Sequence, residues 1–167
     1  MDVRPYDPGR DADALWALKR AFELGLGDGT GSDDKADRYA AKVTDAYRRR
    51  YLDWVDRCVA DDERCVTVAA PAEAEADEAL AGYAFVLPER LAMIWDAAVL
   101  NEIYVRPEHR GTGVADDLVA AAVALAESQD LPLDRLVLDV DRENDRARSF
   151  YERYGFEHWG EMVARKL

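Results

Sequence analysis

The sequence predicts an α/β (α+β) fold in which a mixed, mostly antiparallel central sheet is flanked by about four helices. Three observations lead there. Segments with strand and helix periodicity follow one another as β-α-α-β-β-β-α-β-α-β, an order that mixes hairpins with one crossover. A chain of 167 residues, 49% apolar or aromatic and 34% charged, suffices for one packed domain over residues 1–167. No internal repeat interrupts that order.

Residues 1–6 alternate as a short strand, and 11–24 place Ala14, Leu15, Leu18, Ala21 and Phe22 at helical spacing. Residues 25–34 (GLGDGTGSDD) hold four glycines without periodicity and read as a loop. A second amphipathic helix runs over 35–60 through Tyr39, Val43, Ala46, Tyr47, Tyr51, Trp54, Val55 and Cys58, whose aromatic stripe reads as core. Strands follow at 65–69 and 79–87, joined across the low-complexity stretch 71–77 by a polar hairpin connection. A longer strand over 92–105 ends at Arg106-Pro107, because proline cannot donate to a ladder. Residues 111–128 form a helix with Val114, Ala115, Leu118, Val119, Ala122 and Leu125 on one face. Residues 133–140 alternate as a strand, 145–154 are helical up to the breaker Gly155, and 156–167 supply one or two final strands.

Twenty-two lysines and arginines against 35 aspartates and glutamates give a net charge of −13. Duplex nucleic acid is thereby excluded as a partner, since phosphate binding needs a basic surface. Arginine dominates the cations, with lysine only at Lys19, Lys35, Lys42 and Lys166. With abundant Asp and Ala, this composition resembles that of proteins adapted to molar salt, where screening suppresses self-repulsion. The longest apolar run, 118–126, is too short to span a membrane, and the N-terminus carries no apolar leader; the expected compartment is the cytoplasm. Cys58 and Cys65 lack metal-ligand spacing, so no metal is expected, and they read as buried thiols that could form at most one disulfide.

The segment 103–115, IYVRPEHRGTGVA, runs from a strand through Arg110, Gly111, Thr112, Gly113, Val114 and Ala115 directly into an amphipathic helix. Glycines at a helix start let backbone approach a ligand, and the first-turn N–H groups point at an anion, for which a pyrophosphate is the natural guest. Arg106, His109 and Arg110 add cationic side chains beside the turn. An ordinary glycine-containing strand-to-helix turn accounts for the same residues. Neither a dinucleotide G-x-G-x-x-G nor a P-loop is present.

This segment resembles the pyrophosphate-binding signature Q/R-x-x-G-x-G/A of the GNAT superfamily of acyl-CoA-dependent N-acetyltransferases, matched by Arg110, Gly113 and Ala115. The run NDRARSFYERYGF at 144–156 resembles the family's N-x-x-A-x-x-F/L-Y-x-x-x-G-F segment. GYAFV at 82–86 and LNEIYV at 100–105 are similar to its third and fourth strands. The resemblance covers 82–156; the N-terminal half shares only the strand-helix-helix order. Asp116 and Asp117 depart from the pattern, standing where many members carry neutral or basic residues.

The resemblance implies acetyl transfer from acetyl-CoA to an amine, small molecule or peptide, by direct attack in a ternary complex, with a homodimer as one assembly. A CoA-binding module of the same fold without chemistry is the alternative. It further implies a sheet splayed after the fourth strand to admit pantetheine against the backbone of Ile103, Tyr104 and Val105. Pyrophosphate would sit on the amides of 110–115. Asn144 would bond the pantetheine region or cap the following helix. A carboxylate is needed to deprotonate the amine: Glu102, which alternation places with Tyr104 on the face opposite Ile103 and Val105, is the candidate, with a solvated strand carboxylate as the other reading and Asp96 next in line. Tyr151 occupies the family's general-acid position and also reads as an aromatic packed beside Phe150 and Tyr154. His158 has no evident partner. Asp28, Asp33, Asp34, Asp96 and Glu102 together predict a carboxylate-rimmed acceptor cleft that prefers cationic amines.

Overall fold

A computed structural model describes residues 1–28, 33–71 and 80–165. Strand β1 (Asp2–Pro5) leads into α1 (Pro8–Asp28), α2 (Asp33–Lys42) and α3 (Asp45–Asp61). Strands β2 (Val66–Ala70), β3 (Gly82–Val86) and β4 (Ala98–Val105) follow, then α4 (Val114–Ser128), β5 (Leu136–Val137) and α5 (Asp145–Glu152). The sheet order is β1-β2-β3-β4-β5; the first three pairings are antiparallel and β4 with β5 is parallel. The mixed, mostly antiparallel sheet is therefore as expected, with α4 as the crossover that a parallel pair requires.

Helix α4 lays Val114, Leu118, Val119, Ala122 and Leu125, all buried, on one face of the sheet. Gly82 is required chiefly by β4 beside it: a Cβ there would stand 2.6 Å from the Tyr104 carbonyl oxygen, with Leu118 of α4 at 3.2 Å. Helices α1 and α3 cover the other face with Leu15, Leu18, Tyr51, Val55 and Cys58, and Trp54 packs on Phe85 at 4.9 Å between ring centroids. Arg4 of β1 grips Asp11 of α1 through two bonds of 2.7 and 2.8 Å. Burial opposes ionisation of Asp11, but the Arg4 guanidinium, the Asp7 N–H and Arg10 together outweigh it and hold the carboxyl below its usual range. Cys58 and Cys65 are free and buried, and burial pushes the Cys65 thiol up to about 12, which leaves it an inert packing group.

Several elements depart from the sequence reading. Residues 25–28 continue α1 as helix and 33–34 begin α2 instead of forming a loop; residues 29–32 of that expected loop, 72–77 of the expected hairpin connection and 79 of the expected strand lie outside the described residues. The single helix expected over 35–60 is two, broken where the Thr44 side chain accepts the Tyr47 N–H at 3.2 Å and caps α3. The strand expected from residue 92 starts at Ala98; Glu89–Ile94 is a 3₁₀ helix, and Met93, Ile94 and Trp95 face solvent. The expected strand over 133–140 shortens to β5, and no strand forms over the described residues 156–165. Short alternating runs pair only where a neighbour offers free backbone groups, which local periodicity does not reveal. No described helix is long and apolar enough to cross a membrane.

Candidate active site

The geometry of β4 begins with a bulge. Phe85 pairs with Glu102 but Val86 with Leu100, so Asn101 is an extra residue in the ladder. Past the bulge, the Arg106 N–H donates to the Ala81 carbonyl across β3 at 2.9 Å. Strand alternation then turns the N–H and C=O groups of Ile103 and Val105 to the opposite edge. On that edge β5 pairs with β4 only at Ala98↔Leu136 and Val99↔Val137. From Leu100 onward the edge has no strand neighbour among the described residues, leaving backbone that an extended ligand could pair with.

The chain leaves β4 through a 3₁₀ turn, Pro107–His109, and enters α4 through two glycines of positive φ, Gly111 at 79° and Gly113 at 91°. No atom lies within 4 Å of a Cβ built on either. Backbone conformation, not crowding, is what requires glycine here. Gly113 caps α4 without a side-chain acceptor, so the first-turn N–H groups have no partner in the helix and face outward. The Thr112 hydroxyl donates to the His109 carbonyl at 2.7 Å and closes the turn. Arg110 Nε donates to the Val105 carbonyl at 3.0 Å, and its guanidinium lies 5.9 Å from the Tyr104 ring. Arg106 is directed elsewhere, to the Leu80 carbonyl at 2.8 Å. The departing residue Asp116 accepts a hydrogen bond from the Tyr154 phenol, which ties α5 to the start of α4.

Helix α5 carries the second motif. Asn144 is its N-cap, accepting the Ala147 N–H at 3.0 Å. Tyr151 is half-buried, its ring edge-on to Phe150 at 5.2 Å and to Phe156 at 5.6 Å. Burial pushes its phenol up to about 12, so at neutral pH it keeps its proton and is a donor. Its packed-aromatic character and its capacity to donate thus coexist.

Glu102 projects, as alternation requires, with Tyr104 onto the face covered by α1 and α3, but it is not solvated. It is 7% exposed. Oε1 accepts from Lys19 Nζ at 2.6 Å and Asn101 Nδ2 at 3.2 Å; Oε2 accepts from the Tyr51 and Tyr83 hydroxyls at 2.8 and 2.6 Å. These four bonds use the acceptor sites a carboxylate offers. Burial and the neighbouring Glu102 charge push both tyrosines well above their usual value, so both stay donors. Lys19 also meets Glu23 at 2.7 Å, and Glu23 accepts from Lys42 at 2.9 and 3.0 Å and from Tyr47 at 2.9 Å. Burial would raise the Glu23 carboxyl, but Lys19, Lys42 and Tyr47 outweigh it and hold it below its usual range. Asp96 does not belong to the cluster: it precedes β4, exposed, at a φ of 53°, contrary to its expected place on the strand.

The structure thus runs the edge of β4 at Ile103 and Val105 into the Tyr104–Arg110 stack and the 110–115 turn, and Tyr154, just past α5, is tied to Asp116 beside that turn. Lys19, Glu23, Lys42, Tyr51 and Tyr83 were not singled out as site residues. A signal existed for two of them, since Lys19 and Glu23 fall at i, i+4 within the apolar stripe of Leu15, Leu18 and Phe22, where charge is costly unless paired. The carboxylate rim inferred for the acceptor cleft loses two supports, because Glu102 is neutralised from within and Asp96 stands off the strand; the side chains of Asp28, Asp33 and Asp34 lie outside those described. Among the described residues no group of His, Cys, Asp and Glu could hold a metal ion.

Comparison with known proteins follows the same geometry. The pattern of the Acetyltransferase (GNAT) family matches residues 32–156. The chain is 30% identical over 161 residues to a mycothiol acetyltransferase of Thermobispora bispora, a match covering 94% of this chain and 46% of that protein. It is 31% identical over 174 residues to a mycothiol acetyltransferase of Salinispora tropica, covering 100% and 48%. The chain therefore spans about half the length of these curated relatives. The PaiA N-acetyltransferase of Thermoplasma acidophilum, solved with coenzyme A, shares the fold at a TM-score of 0.69 and 19% identity, over 93% of this chain and 89% of that one. With the family pattern matched over most of its length, this chain belongs to the GNAT family of acetyltransferases.

Proposed function

We propose that this chain transfers an acetyl group from acetyl-CoA to an amine by direct attack, both substrates being bound together. The observation that carries this reading is the free edge of β4 at Ile103 and Val105 running into a helix start that has no side-chain cap. Acetyl-CoA supplies the activated acyl thioester. The backbone groups of Ile103 pair with the pantetheine amides, and the N–H groups of 110–115 hold the pyrophosphate. The Val105 carbonyl is taken by Arg110 Nε, so Val105 contributes its N–H, which donates to the negative charge developing on the acyl oxygen. Asn144 uses its carbonyl oxygen as the α5 cap and offers its NH₂ to the pantetheine region. Tyr151 donates the proton that the departing thiolate needs, and its phenolate recovers one from the amine nitrogen of the tetrahedral adduct. Neither cysteine lies in these motifs, so no acyl-enzyme is invoked.

Glu102 accepts a proton from the amine only by releasing one of its four donors, so with Lys19 in place it is a positioning residue that holds β4 against α1. That saturation favours a second reading, a module that binds acyl-CoA without transferring. An acetyl-transfer and thioester-hydrolysis assay over a panel of amines separates the two. Turnover with at least one amine is expected, and Tyr151→Phe should lower kcat by on the order of 10² with cofactor affinity retained. Tight CoA binding with no turnover on any amine would leave the binding module; unchanged turnover in Tyr151→Phe, with chemistry rate-limiting, would return Tyr151 to packing alone.

A further inference from the structure

The ammonium of Lys19 is held as a recognised ligand would be. It donates to Glu23 Oε1 at 2.7 Å and to Glu102 Oε1 at 2.6 Å, and it lies 5.0 Å from the centre of the Phe22 ring and 4.9 Å from that of Tyr51. Two carboxylates and two aromatic rings are the complement of a primary ammonium, which has three donors and one charge. The site is 4% exposed at the lysine side chain, so these contacts act with little screening. Each wall is also held by bonds that do not involve Lys19. Glu102 is fixed by Tyr51, Tyr83 and Asn101, and Glu23 by Lys42 and Tyr47.

We infer that Glu23, Glu102, Phe22 and Tyr51 form a primary-ammonium site whose built-in occupant is Lys19, and that Lys19 is thereby a specificity-determining residue. Lys19 and Lys42 together offset the two carboxylates, so the cluster presents no net charge to an incoming acceptor. Its neighbour Tyr104 meets Phe22 edge-on at 6.4 Å and lies under Arg110, which sets the cage beside the strand edge proposed for acyl-CoA. The wild-type chain therefore does not hold a second cationic group of the acceptor at this point. Vacating the cage leaves a carboxylate not matched by a cation, and a cationic acceptor gains a partner. This consequence for acceptors rests on the proposed transferase reading; the site itself does not.

The test exploits the shape of the lysine. Lys19→Ala removes Cγ, Cδ, Cε and the ammonium, which is the outline of n-propylammonium. Calorimetry and thermal melting should show saturable binding of n-propylammonium to Lys19→Ala, at least about tenfold tighter than to the wild-type chain, with no binding of n-propanol or propionate. Lys19→Met, which fills the space with an apolar chain, should bind none. Should Lys19→Ala fail to fold in buffer, refolding in n-propylammonium decides: recovery supports the site and no recovery overturns it. A folded Lys19→Ala that ignores n-propylammonium, or a wild-type chain that binds it equally, also overturns it. In the transfer assay, kcat/KM for a diamine relative to a monoamine should rise about tenfold in Lys19→Ala; an unchanged ratio beside intact n-propylammonium binding would overturn the specificity role. Absence of turnover on every amine would count against the transferase reading while the binding result still decides the site.

Discussion

Replacing Glu102 by glutamine preserves the shape of the side chain and removes its charge, and the surroundings of this residue set the cost. The carboxylate is buried, with Lys19 at 2.6 Å on one oxygen and the Tyr51 and Tyr83 hydroxyls on the other. Removing one partner of a buried ion pair typically costs about 3–5 kcal/mol. Lys19 keeps Glu23, which places this loss toward the lower end. An amide has one accepting end, so either the ammonium or the pair of phenols must face an NH₂ group. Each buried donor left unsatisfied adds about 1–3 kcal/mol. A total of about 4 kcal/mol follows, which for a chain of this size lowers Tm by about 8–16 °C. Calorimetric melting and urea unfolding of Glu102→Gln measure it. A Tm within about 3 °C of wild type would show that the four donors do not bind this carboxylate as the geometry implies, and would reopen its role as a free base.

Three further outcomes are expected. Gly113→Val should fold yet lose CoA affinity by at least about tenfold, because a β-branched residue does not adopt the φ of 91° that turns the α4 amides outward; normal CoA binding by calorimetry on the folded variant would remove the turn from the site. Glu23, whose carboxyl is held below its ordinary value of 4.5, contributes stability that is present above that value and lost as pH falls through its folded value. Urea titrations at about pH 7 and pH 3 should therefore show Glu23→Gln destabilising the chain far more at the higher pH, and equal losses would contradict the network. With a net charge of −13, Tm should rise from low salt to molar potassium chloride as repulsion is screened; a salt-independent Tm would mean that the acidic surface does not govern stability.

Local sequence determined the parts that depend on local physics. The helix face of α4 follows from apolar spacing, although its start, expected at residue 111, falls at Val114 because Gly111 and Gly113 take positive φ, which only glycine adopts without cost. The facing of Glu102 with Tyr104, opposite Ile103 and Val105, follows from strand alternation and the pairings across β3. The turn within 103–115 was legible for the same reason, whereas the motif at 144–156 was legible only through its resemblance to a family segment. Tertiary structure alone decided the surroundings of Glu102. Lys19 is 83 residues away in sequence and Tyr51 is 51, and a charged strand residue reads as solvent-facing until its partners are known. The short β5 was decided the same way, because it depends on which backbone groups a neighbouring strand leaves unpaired, and periodicity within one segment carries no information about its neighbours.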